Sequence, residues 1–423
     1  MAKRNLRRVK IENFRSFSTA QEVIFTAETK YSSKKANDAS LIKVANGTQD
    51  SILPVTVLYG ANAAGKSNFL KIFGMLDGLL HRMKIEPSKA LPYEPFDAGE
   101  YEAAGTNLEM EFVINDQTYL YCVHFDEEKI KMESLSVLNE KLKFDELYCV
   151  SDGKFFPKDV ALSHVSRDEV VDWLKTRRNI TVLEILGTKN VEPYVTILDF
   201  LRMKRLGSLA QRLYEDQELR EMVLSFVREI DVGITDIFVD KDEATVPEFL
   251  QKRPMPEEFV RELTEMLKYR IKFKHVGLKQ PLDIWDESDG TMGFIKHVAA
   301  YLPALLKDGG VFYVDEIEDS MHPFIVRLIL GMFQDSRINK MGAQLICSTH
   351  DIGLQEPEIL RRDEIWFVQK DSAHGNSTIY PLSQFTDVRQ NTKYKNKYID
   401  GEFGAIPYLS SLDTFAGLVD GGK

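Results

Sequence analysis

The stretch Gly60-Ala-Asn-Ala-Ala-Gly-Lys-Ser-Asn68 constrains this chain more than any other. It fits Gly-x4-Gly-Lys-Ser, and its flanks supply the context that the pattern requires. The apolar run Ile52–Tyr59 ahead of it has the composition of a buried strand, and Phe69–Leu76 behind it carries apolar residues at helical spacing. Strand, small-residue turn and helix in that order predict a loop whose backbone N–H groups curl round an anion while the helix offers it a positive end.

The residue types point to a nucleotide phosphate. Gly60, Ala63, Ala64 and Gly65 let the backbone approach closely, with Asn62 and Asn68 beside them as further contacts. Lys66 is placed to reach the β- and γ-phosphates, and the Ser67 hydroxyl to ligate Mg2+. ATP and Mg2+ are therefore the expected cofactors.

Three later stretches fit the same chemistry. Gly309–Glu316 is an apolar strand ending in two acids. Asp315 would support the metal, and Glu316 would polarise the water that attacks the γ-phosphate. Gln344–Asp351 repeats the form, an apolar strand that stops at Ser348, Thr349 and His350, where the imidazole is either structural or a sensor of the γ-phosphate. Trp285–Gly293 precedes the apolar helix expected over Phe294–Leu306, and its Ser288 and Gly290 make a second anion-binding helix start. One subunit has no need of two such ends for one nucleotide, so this end is expected to face a γ-phosphate held by another copy.

The remaining chain organises round these motifs. Residues 6–13 alternate as a strand, with Gln21–Phe25 as hairpin partner, and Lys3, Arg4, Arg7 and Arg8 form either a phosphate-backbone contact or a solvated edge. Residues 28–50 read as a mobile surface loop. Pro87, Pro92 and Pro95 mark the break after the phosphate-loop helix, and strands are expected at Asn107–Ile114, Thr118–Phe125, Lys129–Leu138 and Glu146–Val150, the first two joined by Asn115-Asp116-Gln117.

From Pro157 to Lys268 the period turns helical, at Asp168–Lys175, Val195–Leu213, Glu218–Ile230 and Glu257–Lys268. The division expected is residues 1–155, the N-terminal part of a nucleotide-binding head with an antiparallel lobe; residues 156–270, an inserted helical arm or lid; and residues 271–423, the rest of the head. Basic clusters at Lys175–Arg178, Arg202–Arg205 and Lys268–Lys279 are either a groove for nucleic acid or a partner, or solvated faces.

At 423 residues the chain is long for one core. A net charge of −11 argues against whole-surface binding of nucleic acid, which needs a contiguous basic footprint. No run of about eighteen apolar residues and no leader-like apolar region occurs, so a cytoplasmic protein without membrane contact is expected. Cys122, Cys149 and Cys347 show no metal-binding spacing, and Cys347 reads as a core thiol.

Taken together, the order of motifs resembles the ABC-type ATPase heads of the RecF, SMC and OLD-like branch, and within it the stand-alone ATPases of the RloA and AbiLii type found in phage-defence loci. The resemblance is carried by Ile11–Phe17, Gly60–Ser67, Glu287–Thr291, Val311–Glu316, Glu318–Pro323, Ser348–Asp351, Arg361–Val368 and Tyr398–Pro407, and covers residues 1–125 and 275–410. It implies an α/β P-loop ATPase head, with a mixed sheet, flanking helices and an antiparallel β lobe, that dimerises round two ATPs. Lys66, Ser67 and Asp315 would act in cis, Glu316 as base and His350 as switch, while Ser288 and Gly290 complete the other subunit's site and Asp319 joins the loop contacts.

The stretch departs from the family's Leu-Ser-Gly-Gly signature, and no glutamine occupies the lid-loop position. The favoured function is an ATP-hydrolysing switch, a homo-oligomer that controls an effector nuclease or toxin in trans in antiviral defence. A RecF- or SMC-like ATPase that binds DNA directly is the alternative. About seventy residues follow Asp351, too few for an appended nuclease.

Overall fold

The computed structural model describes residues 4–28, 40–44, 50–83, 89–97, 99, 101, 104–151, 153–157, 164–202, 209–230, 233–241, 268–288, 290–291, 305, 309–388 and 392–407. Strand β1 (Arg4–Glu12) pairs antiparallel with β2 (Gln21–Ile24), the hairpin that the alternation predicts. Part of the expected surface loop is folded: β3 (Ile42–Lys43) pairs with β4 (Ser51–Ile52), and Ile42, Val44 and Ile52 cluster with Val113. Residues 29–39 and 45–49 lie outside the described residues.

The phosphate loop separates β5 (Val55–Tyr59) from α1 (Lys66–Leu80), and all five residues of β5 are buried, as in a strand covered on both faces. Helix α1 ends before any of the three prolines, of which Pro87 lies outside the described residues.

The antiparallel lobe follows, with β6 (Thr106–Ile114), β7 (Gln117–Phe125), β8 (Ile130–Leu138), β9 (Phe144–Ser151) and β10 (Lys154–Pro157). With the first hairpin they form a seven-stranded sheet in the order β10-β9-β8-β7-β6-β1-β2. Between β6 and β7 the link is only Asn115 and Asp116, with φ of 53° and 63°. Two left-handed residues match the twist of a tight hairpin, so Gln117 belongs to the strand.

Strand β1 is not an edge strand, because β6 covers its other side. Arg7 pairs with Glu111 and Asp50, each at 2.7 Å, and Arg8 with Glu22 at 2.8 Å. The solvated edge expected at Arg7 and Arg8 is therefore a cross-strand ion ladder, and Lys3 lies outside the described residues.

The helical segment contains α2 (Arg167–Thr176), α3 (Val182–Thr188), α4 (Tyr194–Leu201), α5 (Leu209–Glu215) and α6 (Gln217–Ile230). Ser166 and Thr181 cap α2 and α3, each side chain accepting from the third backbone N–H onward. The single helix expected over Val195–Leu213 is two, α4 and α5, with residues 203–208 outside the described set. The helix expected over Glu257–Lys268 also falls outside it, Lys268 excepted.

The helical reading breaks down after α6. Strand β11 (Ile234–Lys241) pairs antiparallel with β12 (Tyr269–His275), and β13 (Leu282–Asp283) adds a third strand. In β12, Tyr269, Ile271 and Phe273 point inward while Arg270 and Lys274 are exposed, so much of the basic stretch 268–279 is one face of a strand.

The central sheet is completed by β14 (Val311–Val314), β15 (Gln344–Ser348), β16 (Ile365–Lys370) and β17 (Ser377–Pro381), in the order β14-β15-β5-β16-β17. All neighbours are parallel except β16 and β17. Leu58 of β5 faces one core with α1, α3, α4 and the antiparallel lobe. Val55, Val57 and Tyr59 face the other, with α5, α6, the β11–β12 pair, α7 (Pro323–Gln334) and α8 (Tyr394–Ile399). The chain is thus an α/β P-loop head with a mixed sheet and an antiparallel lobe, and the inserted helices divide between its two cores. Among the described residues no helix is long and apolar enough to cross a membrane.

Buried amides join the two large sheets. Gln344 accepts from Leu6 N at 2.7 Å and donates to Leu6 O at 3.0 Å, Asn5 donates to Gly342 O at 2.7 Å, and Gln21 accepts from Ile379 N at 2.9 Å. Buried polar groups so matched fix register as well as contributing stability.

The far end of α1 is closed by the insertion. Glu184 accepts from Arg82 N and Met83 N, each at 2.9 Å, Arg202 donates to Leu80 O at 2.6 Å, and Arg177 donates to Arg82 O at 2.7 Å. Arg177 and Arg202 are therefore neither a nucleic-acid groove nor solvated faces; they satisfy the carbonyl end of the phosphate-loop helix. Lys204 and Arg205 lie outside the described residues.

Beside β5, Glu364 is wholly buried, its carboxylate accepting from Arg361 N at 2.8 Å and Gln334 Nε2 at 3.1 Å. Burial pushes its pKa up to about 8. Between the ordinary carboxylate range and that value the folded chain keeps a proton that the unfolded chain has lost, so stability falls as pH rises through the window. Melting curves are expected to show Tm dropping from about pH 5.5 to about pH 8.5 more steeply in the parent than in Glu364→Gln. Equal slopes would remove Glu364 as the cause.

Candidate nucleotide site

The loop between β5 and α1 is built to meet an anion. Gly65 caps α1 at φ 117°, no side chain caps the helix, and no acid occupies its first turn, so the first N–H groups face outward unclaimed by side chains. A Cβ at Gly65 would lie 2.7 Å from Ser377 Oγ and 2.9 Å from Ser16 Oγ, and one at Gly60 only 2.2 Å from the Val368 carbonyl oxygen. Both glycines are therefore required by close packing as well as by turn geometry.

Those same serines brace the loop. Ser377 Oγ donates to Ala64 O at 2.6 Å, Ser377 N donates to Ser16 O at 2.6 Å, and Asn68 Nδ2 donates to Ser16 Oγ at 2.8 Å. Asn68, expected as a nucleotide contact, borders the cleft and also ties its wall to the first hairpin.

Lys66 is only 5% exposed, with Nζ on the carbonyls of Gly60 at 2.9 Å and Ala61 at 3.2 Å. Burial lowers its pKa, against the opposing pull of Asp315, Glu316 and Glu318. A lysine held among backbone dipoles with three carboxylates nearby is poised for a stronger anionic partner.

The acids are set by the neighbouring strand. Strands β14 and β15 run parallel, so their ends lie together, and Ser348 Oγ donates to Asp315 Oδ1 at 2.5 Å while accepting from Glu316 N at 2.8 Å. Glu316 holds a left-handed φ of 51°, a conformation unfavourable for a non-glycine residue that turns its carboxylate toward the loop. One turn on, Glu318 accepts from His350 N at 2.5 Å.

The resulting cleft, of about 720 Å3, is lined by residues 62–68 together with Glu316, His350 and Lys370. Of the residues expected from sequence, the structure brings Asn62, Ala63, Ala64, Gly65, Lys66, Ser67, Asn68, Glu316 and His350 to one opening. Asp315 adjoins it through Ser348, and Gly60 underlies it through its carbonyl. The Ser67 hydroxyl and the Asp315 carboxylate are hard oxygen donors of the kind Mg2+ takes.

Sequence reasoning missed Lys370, Ser348 as a brace, Glu318 as a support for His350, and Ser16 and Ser377. Lys370 had a legible signal: the apolar strand β16 stops at a cation beside the phosphate loop.

Ser288, Gly290 and Asp319 do not line this cleft. Ser288 Oγ accepts from Thr291 N at 3.1 Å, capping the turn that starts at Gly290, and a Cβ at Gly290 would lie 3.4 Å from the Ser320 carbonyl oxygen. The signature-like stretch thus sits beside the loop after the acid pair, tied by Glu287 to His275 at 2.8 Å. Asp319 accepts from Ser320 Oγ at 3.3 Å. The helix expected over Phe294–Leu306 lies outside the described residues, Leu305 excepted.

Ser348→Ala removes two hydrogen bonds to the acid pair without touching the loop. Loss of a bond to a charged group costs about 1.5–3 kcal/mol, so turnover is expected to fall roughly tenfold to a hundredfold with nucleotide affinity unchanged. Phosphate release set beside titration calorimetry checks this, and an unchanged rate would show that the acids need no such brace.

The profile of a family described as "AAA domain, putative AbiEii toxin, Type IV TA system" matches residues 55–355. Among solved structures, the recombination mediator protein RecF-ATPrS of the RecFOR pathway is similar at 14% identity, over 89% of this chain and 98% of that one, with a TM-score of 0.39. The SMC head domain from Thermotoga maritima is similar at 12% identity, over 89% and 98%, with a TM-score of 0.38. An Smc head with an extended coiled coil, bound to the C-terminal domain of ScpA derived from Pyrococcus furiosus, is similar at 12% identity, over 95% and 99%, with a TM-score of 0.37. No curated protein matches the chain.

Proposed function

The chain belongs to the family described as AAA domain, putative AbiEii toxin, Type IV TA system, and from that premise we propose that it is an ATP-hydrolysing molecular switch. The observation that carries this reading is the meeting of Lys66, Glu316 and His350 at one cleft.

In this reading the loop N–H groups and Lys66 hold the β- and γ-phosphates, and Ser67 and Asp315 hold Mg2+. The metal, when bound, neutralises charge on the phosphate oxygens. Glu316 accepts a proton from the attacking water as its oxygen bonds to the γ-phosphorus and the bridging bond to ADP breaks. His350, its backbone fixed by Glu318, senses the γ-phosphate, and Lys370 adds a second positive group at the opening.

Ser288, Gly290 and Asp319 lie off the cis cleft, which supports their service to a second copy across an ATP-dependent interface. The family's description names a putative toxin of a Type IV TA system, and in this reading the switch controls an effector nuclease or toxin in antiviral defence. A reading as a DNA clamp has less to draw on, since Arg7, Arg8, Arg177 and Arg202 are engaged within the chain. The direct test is phosphate release from ATP with and without Mg2+. Metal-dependent release, lost in Glu316→Gln, is expected; release that survives Glu316→Gln would contradict the assignment.

A further inference from the structure

Away from the nucleotide cleft, a cavity of about 370 Å3 opens between β8, β9 and the end of α2. Four cations line it, Lys129, Lys131, Lys175 and Arg178, beside an apolar wall that includes Ile130, Leu174 and Ile180. It takes up two residues of the basic cluster Lys175–Arg178 that the ATPase reading leaves unused, whereas Arg177 turns the other way to close α1.

The charge round this cavity is not balanced by its own lining. Lys131 has Asp126 at 3.3 Å and Lys175 has Asp172 at 3.2 Å, but neither acid lines the cavity. Lys129 and Arg178 make no side-chain hydrogen bond or ion pair with a described residue. Glu133 is the one carboxylate in the described lining, and its oxygens are already claimed. It accepts from Tyr121 and Tyr148 at 3.2 and 2.8 Å, and from Val182 N and Leu183 N at 2.6 and 3.0 Å. That carboxylate is turned away to anchor the start of α3, and burial raises its pKa, which further reduces its value as a counter-charge.

We propose that this cavity binds a phosphomonoester of nucleotide size, its ring on the apolar wall and its phosphate among Lys129, Lys131, Lys175 and Arg178. The volume falls near the lower end of small-ligand pockets and suits one nucleotide rather than a duplex. A guanidinium and three ammonium groups converging on one opening are the donors that a doubly charged phosphate takes, with Arg178 able to bind two oxygens at once. Such a phosphate comes either from a free nucleotide or from the 5′ end of a nucleic-acid strand, and the chemistry at the cavity is the same.

The test uses the full chain carrying Lys66→Ala, so that the phosphate loop does not compete, and titrates AMP, a 5′-phosphorylated oligonucleotide and its 5′-hydroxyl counterpart by calorimetry. Binding of AMP or of the phosphorylated strand is expected, weakened roughly tenfold to a hundredfold when Lys129→Ala and Arg178→Ala are added. Preference between the two ligands assigns the source. Arg178 is exposed and Lys129 half-buried, and an unchanged melting curve verifies the fold; Arg178→Lys, which keeps charge but loses the two-pronged contact, should fall between the extremes. Absence of binding by both phosphorylated ligands, equal binding of the 5′-hydroxyl strand, or affinity indifferent to Lys129 and Arg178 overturns the proposal. The outcome does not depend on ATP hydrolysis, so its failure and the failure of the ATPase reading are separable.

Discussion

Lys66→Ala is expected to weaken ATP binding by about a hundredfold or more and to remove hydrolysis with it, because two charge-assisted bonds to phosphate at about 1.5–3 kcal/mol each are lost. The fold should be indifferent to the change. The ammonium is buried against backbone carbonyls at a cost that depresses its pKa, and in the variant those carbonyls face a cleft where water can replace it. Melting temperature should therefore hold steady or rise slightly while calorimetric binding of Mg-ATP disappears. A variant that binds ATP normally would move the nucleotide out of this cleft.

Glu316→Gln should separate the two halves of the site. The amide keeps the size of the side chain and the backbone N–H that bonds Ser348, but it cannot accept the proton of the attacking water. General-base assistance contributes about 10²–10⁴-fold, and the turnover rate should fall by that factor while affinity for ATP stays within a few-fold. Equal loss of binding would mean that Glu316 supports the loop or the metal instead.

The site was legible where chemistry forces short, local patterns. Gly60–Ser67 is legible because close approach to phosphate needs small residues before a helix, and the ends of β14 and β15 because an apolar run seldom stops at acids or histidine without cause. Contacts across long separations were not legible. Ser16 and Ser377 meet at Ala64 and Gly65 only through the fold, and nothing local to Arg202 shows that it reaches back to Leu80.

The helical reading of residues 157–268 leaves out β11, whose alternation is interrupted by charged residues, and β12, just beyond it, reads as a basic cluster because Arg270, Lys272 and Lys274 outweigh its apolar period. The strand period was present there, with every second residue buried. The two-residue turn at Asn115 and Asp116 was nearly right in sequence, and the left-handed pair fixes its length.

In the proposed switch, ATP joins two copies through residues that do not line the cis cleft. The mass of Glu316→Gln in solution, measured by light scattering with and without Mg-ATP, tests it most directly. ATP is expected to raise the mass, and Ser288→Arg in the same background to prevent the rise. A chain that binds Mg-ATP yet keeps one mass throughout would contradict it.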